Sequence, residues 1–380
     1  MRVSPTLVLC CVMAAKAQTI GARLREKLAA GRASAGPKYE MLNGAEAMWQ
    51  IPASPVGTIF LAHGCSHSAT DFWASTPACP QCLGLPEVGA CMAHGEGVTG
   101  CRSRHKSHLY PSPAQEVRIV QAALKDGYAV IALSSQDRQF SRCWDFETDG
   151  PVVRGALAAF RSAHALNSLP LAALGASSGG AFALQLAGIM KLTAVVSQIM
   201  AIPPAVLPAH MPPTLFVHMP RDVRTASTVH KCVRKLRADS GPGAASQIEV
   251  NPQPLSASFF MERIVGLAEP AAVRLREALA TAGLLDQKGY LREDPRRSSW
   301  REAVRSAPGL LGQLPGPAGA GGGRPDSLEA DASAVAEVLN VAWAMHEIVS
   351  DQVRAEPVDE PVTAPTSTCY LHALLPRACA

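Results

Sequence analysis

Long hydrophobic runs are missing from this 380-residue chain. No apolar stretch reaches the ~18 residues that a membrane-spanning helix requires, so no transmembrane helix is expected. Charge is thin as well: Asp, Glu, Lys and Arg make up 17% of the chain and the formal net charge is +4, with no basic run that would make a nucleic-acid patch. Nucleic acid and acidic polymers are therefore not expected as partners. A second C-x-x-C is lacking to accompany Cys79-Pro-Gln-Cys82, and the H-x-x-x-H pair His63 and His67 precedes those cysteines instead of following them on a helix. That spacing gives little support to structural zinc, so no metal and no cofactor is expected.

Cysteine, by contrast, is plentiful, with eleven in the chain, and Cys65, Cys79, Cys82, Cys91 and Cys101 crowd one stretch. Its use depends on the compartment. Arg2 precedes an apolar segment, residues 6–15, and Ala15-Lys16-Ala17 has the small-x-small pattern of a signal-peptidase site, so residues 1–17 read as a secretory signal. An organelle transit peptide, chloroplast included, is the alternative, because Arg23, Arg25 and Arg32 follow with Glu26 the one acid among them. In an oxidising compartment Cys65, Cys79, Cys82 and Cys143 are candidates for disulfides of undetermined pairing; in a reducing one they are ordinary thiols. A thiol-redox or metal role for the cluster from Cys65 to Cys101 is a further reading.

The chain is organised around Gly175-Ala176-Ser177-Ser178-Gly179. An apolar run of strand length, 171–174, enters it, and an alanine-rich helical run, 181–190, leaves it. G-x-S-x-G between a strand and a helix holds a serine on a sharp turn, where the flanking glycines permit strand and helix to approach closely. The helix start then directs free N–H groups and its positive dipole end toward charge developing at the Ser177 hydroxyl.

Upstream, Asn43-Gly44 between alternating apolar residues predicts a hairpin with a type I′ turn. Residues 56–62 and 129–133 read as buried strands, 116–126 and 152–166 as helices, and 65–115 as a Cys-rich excursion with little regular pattern. Downstream, 192–200, the stretch 213–222 that runs into Met219-Pro220-Arg221-Asp222, and 246–251 read as strands, and 223–238 as a basic helix. The short proline-rich link 202–212 leaves no room for a large cap at that point. The expected organisation is a segment 18–37 before an α/β core over 38–268, a helical extension over 269–306 and a Gly/Pro-rich linker over 307–326. A C-terminal helix over 327–354, with Ser327 as its cap, and a tail over 355–380 complete it. Strands alternating with helices imply a doubly wound, mostly parallel sheet.

With His63-Gly64-Cys65 after one strand, the elbow after another and Met219-Pro220-Arg221-Asp222 after the next but one, residues 39–267 resemble the α/β-hydrolase superfamily. The stretches beginning at His63, Cys79 and Pro213 resemble a plant and algal branch of it, which implies fold and reaction class but no substrate. The resemblance makes Ser177 the nucleophile, the backbone N–H groups of Ser178 and Cys65 the oxyanion donors, and Asp222 the orienting acid, a residue that also suits a helix N-cap. The superfamily's histidine after the last strand has no counterpart in 252–259. His346, in Ala342-Trp343-Ala344-Met345-His346-Glu347 of the late helix, keeps the order Ser, Asp, His and is the candidate base. His230 and His372 also keep it but rank lower, His218 reads as a buried strand residue, and His63 shapes its turn. These assignments predict a serine hydrolase acting through an acyl-enzyme on a small ester, thioester or amide. The competing reading is a catalytically silent hydrolase fold that binds a ligand or protein partner. Oligomeric state is not encoded in any motif.

Overall fold

The computed structural model describes residues 36–73, 114–264, 266–315, 328 and 333–350. The expected signal or transit segment, Cys79, Cys82, Cys91, Cys101, His372 and Ser327 all lie outside the described residues.

Strands β1 (Lys38–Leu42) and β2 (Ala45–Gln50) form the hairpin, and Asn43 and Gly44 carry the two positive φ angles, 49° and 82°, that a type I′ turn needs. The rest of the sheet is β3 (Gly57–Ala62), β4 (Tyr128–Leu133), β5 (Leu171–Ala176), β6 (Ala194–Gln198), β7 (Thr214–His218) and β8 (Ala245–Glu249). The order is β1-β2-β4-β3-β5-β6-β7-β8, antiparallel in the first two pairings and parallel from β4 onward. This is the doubly wound sheet of an α/β-hydrolase fold. Every residue of β3 to β7 is buried, as the continuous apolar runs of a sheet covered on both faces require.

Side-chain alternation divides the core into two layers. Phe60, Ala62 and Phe216 pack with α2 (Phe146–Ala163), α3 (Ser178–Leu186) and α4 (Val223–Ser240). Ile59, Leu61 and Val217 face α1 (Ala114–Lys125), α5 (Ala257–Arg263), α6 (Glu269–Thr281), α7 (Trp300–Ser306) and α8 (Ala334–Trp343). The helical extension thus thickens one face of the sheet.

Three boundaries differ from expectation. Helix α2 begins before Pro151, because Asp145 caps it by accepting from the Thr148 N–H. The linker expected over 307–326 is structured in its first part: residues 311–313 form a 3₁₀ turn, with Leu310 and Leu314 buried in the core. The C-terminal helix is shorter than 327–354. Ser333 caps it through the Ala336 N–H, and Ala344 ends it in the left-handed conformation (φ 57°, ψ 55°). His346 consequently lies in the turn beyond the helix, itself at φ 46°.

The tightest approach is at the elbow. A Cβ at 179 would drive into the carbonyl oxygens of Ala62 and His63, and one at 175 into the backbone of Gly179 and Gly180. Since backbone cannot swing aside as a side chain does, Gly179→Ala should cost at least about 3 kcal/mol or abolish folding. Urea unfolding followed by circular dichroism measures this; a variant within 1 kcal/mol of wild type would show that the elbow can open.

Candidate active site

Ser177 connects β5 to α3 with φ 52° and ψ −119°, a region that a residue with a Cβ enters only when its surroundings force it. Its N–H donates to the Gln198 carbonyl at the end of β6 (3.0 Å), and its own carbonyl accepts from Gly180 and Ala181 in the first turn of α3. The strained residue is thereby tied to both neighbours, and its hydroxyl emerges at the carboxyl edge of the sheet.

Asp222 follows β7 and caps α4. Its two oxygens divide their work: Oδ1 accepts from the Thr225 N–H (3.3 Å) and Oδ2 lies 2.7 Å from His346 Nδ1. Burial alone would raise this carboxyl, but the hydrogen bonds from His346 and Thr225 outweigh it and hold the pKa below the ordinary value. On the other side of the ring, His346 Nε2 is 3.0 Å from Ser177 Oγ. The imidazole is about two-fifths exposed, whereas Asp222 is only 14% exposed, so the acid is sheltered and the base faces the cavity. Hydroxyl, imidazole and carboxylate form one hydrogen-bonded chain, and the tautomer with its proton on Nδ1, facing Asp222, leaves Nε2 to accept from the hydroxyl.

His346 reaches this position because the segment after α8 is pinned to the sheet edge. The buried Gln198 amide both donates to the Val349 carbonyl (3.0 Å) and accepts from its N–H (2.9 Å). Gln115 Oε1 accepts from the Ser350 N–H and hydroxyl, at 2.9 and 2.7 Å. Arg296 donates to the His346 carbonyl at 2.9 Å, and the Arg221 guanidinium lies 3.4 Å over the Trp343 ring. The loop after β8, where the superfamily's histidine was missing, holds this segment instead: Gln253 N–H donates to the Ala342 carbonyl.

The expected oxyanion donors flank Ser177. Ser178 opens α3, so its N–H is among those a helix leaves without an intrahelical partner. The Cys65 N–H is taken up by no other group among the described residues. Buried His63 fixes that peptide. Its Nδ1 donates to the Gly64 carbonyl (2.6 Å) while Nε2 accepts from the Ser135 N–H (3.1 Å), and burial pushes its pKa down to about 3, so the ring is neutral. Since N–H and C=O of a trans peptide point in opposite directions, the Cys65 N–H is turned away from that ring. His63 therefore shapes its turn and has no free nitrogen for catalysis.

Of the four candidate disulfide cysteines, Cys65 and Cys143 are bonded to each other. The link ties the turn after β3 to the loop after β4, where Ser66 N–H donates to Ser141 O and Arg142 donates to Ser66 O.

The cavity beside Ser177 measures about 480 Å³. Its walls include Glu116, Ile199, Trp300, Ala336, Asn340 and Glu347, so the extension and α8 supply the side that a cap would. Sequence reasoning missed these wall residues; Glu116 gave only the sign of a first-turn acid on a helix. Burial raises the Glu116 carboxyl to about 7 and also raises that of Glu347. For His67 burial works against the charged form, yet the hydrogen bond to Asp71 and the nearby carboxylates prevail and raise it to about 10. His218 is buried on β7, as expected, beside His230 on α4.

No protein-family model matches the chain, and no curated protein matches it. Among solved structures, a dienelactone hydrolase from Anabaena variabilis is 16% identical, aligned over 57% of this chain and 86% of its own, with a TM-score of 0.38. Carboxyl esterase 2 of the mycorrhizal fungus Tuber melanosporum is 11% identical over 58% of this chain and 76% of its own, at 0.37. A lid-less α/β serine hydrolase from Xanthomonas campestris is 14% identical over 57% and 85%, at 0.35. These neighbours are α/β hydrolases. The fold assignment rests on this chain's own strand order and elbow.

Two expectations follow. A carboxyl raised in the fold from 4.5 to about 7 weakens the folded state as it ionises, so Glu116 should make stability fall as pH rises through that window. Denaturant midpoints of wild type and Glu116→Gln across pH 4.5 to 7 should diverge, with wild type losing ground as pH rises; parallel curves would mean that Glu116 titrates normally. The Cys65–Cys143 link closes a span of 78 residues, so the paired Cys65→Ser, Cys143→Ser variant should lose about 2–5 kcal/mol. Thermal unfolding under non-reducing conditions reads this, and an unchanged midpoint would show the link to be without weight.

Proposed function

We propose that the protein is a serine hydrolase that cleaves a small ester, thioester or amide through an acyl-enzyme. The observation that carries this reading is the chain from Ser177 Oγ through His346 to Asp222, at 3.0 and 2.7 Å, at a strained strand-to-helix turn.

In this reading Ser177 Oγ attacks the substrate's carbonyl carbon as its proton passes to His346 Nε2. Asp222 keeps the other ring proton on Nδ1 and stabilises the imidazolium. The carbonyl oxygen takes up the negative charge and meets the N–H groups of Ser178 and Cys65, a contribution of about 10²–10³ in rate per donor. Collapse expels the leaving group, which takes the proton from His346. Water then attacks the acyl-Ser177 ester with His346 again as base, releasing the carboxylic acid and restoring the hydroxyl. The silent-fold reading drew on the absent histidine after β8 and the lack of a sizeable cap; the 3.0 Å approach of His346 Nε2 to Ser177 Oγ supports the hydrolase reading over it.

The bonded Cys65 and Cys143 support a proposal that the chain matures in an oxidising compartment, in keeping with a signal at residues 1–17. Kinship with the plant and algal branch rests on the three sequence stretches named above.

A fluorophosphonate probe should label the wild type and leave Ser177→Ala unlabelled; equal labelling of both, or none of wild type, defeats the proposal. With a p-nitrophenyl acyl ester that the wild type turns over, Asp222→Asn should lower kcat by up to about 10⁴ with little change in KM, since it disturbs the tautomer more than binding.

A further inference from the structure

A second cluster of ligating side chains lies apart from the catalytic cavity. His218 ends β7 and Glu249 ends β8, and the two are direct partners in the parallel register. Neighbouring strands run ~4.8 Å apart, so partners in register carry their side chains side by side on one face. That face is the α4 side, because Phe216, two residues before His218, packs in the layer that α4 covers. His230 comes from α4 and meets the His218 ring edge-on, with centroids 5.3 Å apart. One ligand atom from each of His218, His230 and Glu249 falls within 4.8 Å of the others.

The chemistry of His218 points to a missing partner. The ring is fully buried, and neither nitrogen has a hydrogen-bond partner among the described residues. A neutral imidazole carries one N–H and one acceptor lone pair, and leaving both dry in the interior is unfavourable. The other two members differ in burial: His230 is partly buried and Glu249 exposed, so the cluster opens to solvent on one side.

We propose that His218, His230 and Glu249 bind a divalent transition-metal ion of the zinc class. Two imidazole nitrogens and one carboxylate oxygen are a donor set that suits Zn²⁺, with water in the fourth position on the open side. Tetrahedral bonds near 2.1 Å place ligand atoms about 3.4 Å apart, so the three groups need to close by roughly an ångström. The side chains of His230 and Glu249 have the freedom to do so, while His218 stays fixed in the strand. An ion there joins the ends of β7 and β8 to α4, and the loop it braces contains Asp222. The site does not depend on the hydrolase reading and has no part in the acyl transfer described above.

The test uses the full chain with its disulfide intact, stripped with a chelator and then titrated with ZnCl₂ in equilibrium dialysis. Saturation at one equivalent per chain and a raised melting midpoint are expected, with affinity reduced by at least about 10-fold in both His230→Gln and Glu249→Gln. Ser177→Ala should bind like wild type. Because the chain is rich in cysteine, Co²⁺ serves as a second probe: visible d–d absorption without a thiolate-to-metal band marks nitrogen and oxygen ligands. No saturable binding, binding undiminished in the two surface variants, or a thiolate band would each overturn the proposal. Substituting buried His218 risks misfolding, so the two outer ligands carry the decision.

Discussion

The arrangement of Ser177, His346 and Asp222 depends on how the segment after α8 is docked, and a buried amide is central to that docking. Gln198 closes β6 with its side chain out of water, and its carboxamide is satisfied by the N–H and carbonyl of Val349 in a two-way pairing like that between strands. Were the C-terminal segment to lift away, both polar ends of that amide would be left dry or flooded, at a cost comparable to two hydrogen bonds. The pairing fixes Val349, and His346 lies three residues before it, so docking of the segment also places the imidazole. The Gln198 carbonyl meanwhile accepts from the Ser177 N–H. Gln198 at the strand end therefore contacts both Ser177 and the segment that carries His346.

Two left-handed residues make that docking possible. An α-helix continued past Trp343 would carry His346 along the axis of α8. Ala344 instead halts the helix, and His346 itself takes a positive φ that turns the ring toward Asp222. Non-glycine residues tolerate this region only when other contacts compensate. Here the compensation is visible: Arg296 holds the His346 carbonyl, Arg221 holds the Trp343 carbonyl at 2.6 Å and stacks on its ring, and Asn340 holds Glu347.

The parts of the site legible in the sequence were those set by local chemistry. Gly175 and Gly179 around Ser177 announced the elbow because a close backbone crossing excludes a Cβ, and Asn43-Gly44 announced the hairpin for a related reason. Asp222 could be read both as a cap and as an acid, and each oxygen takes one of those roles. His346 was legible as a residue but not as a place. A helical period in 334–343 gives no sign of a left-handed stop at an alanine, which tertiary contacts impose. Leu310 and Leu314 were hidden in the same way: a Gly/Pro-rich surrounding suggests a linker, yet two leucines suffice to anchor its first part in the core. The Cys65–Cys143 pairing was open among four cysteines because which loops meet is decided by the β3–β4 crossover, not by spacing along the chain.

The segment that carries His346 also contributes to the cavity beside Ser177. Among the described residues, the extension and α8 contribute Trp300, Ala336 and Asn340 to the lining of the cavity that Ser177 shares. The same elements carry His346, so the pocket and the base form together. The cavity wall is also polar, with His67, Glu116, Asn340 and Glu347 among its lining residues. Burial raises the carboxyls of Glu116 and Glu347, while, against burial, the hydrogen bond to Asp71 helps to raise the pKa of His67. Under the hydrolase reading proposed above, a wall of that composition suits an acyl group that carries polar or hydrogen-bonding atoms, since an apolar chain would offer no partner to the Glu116 carboxyl.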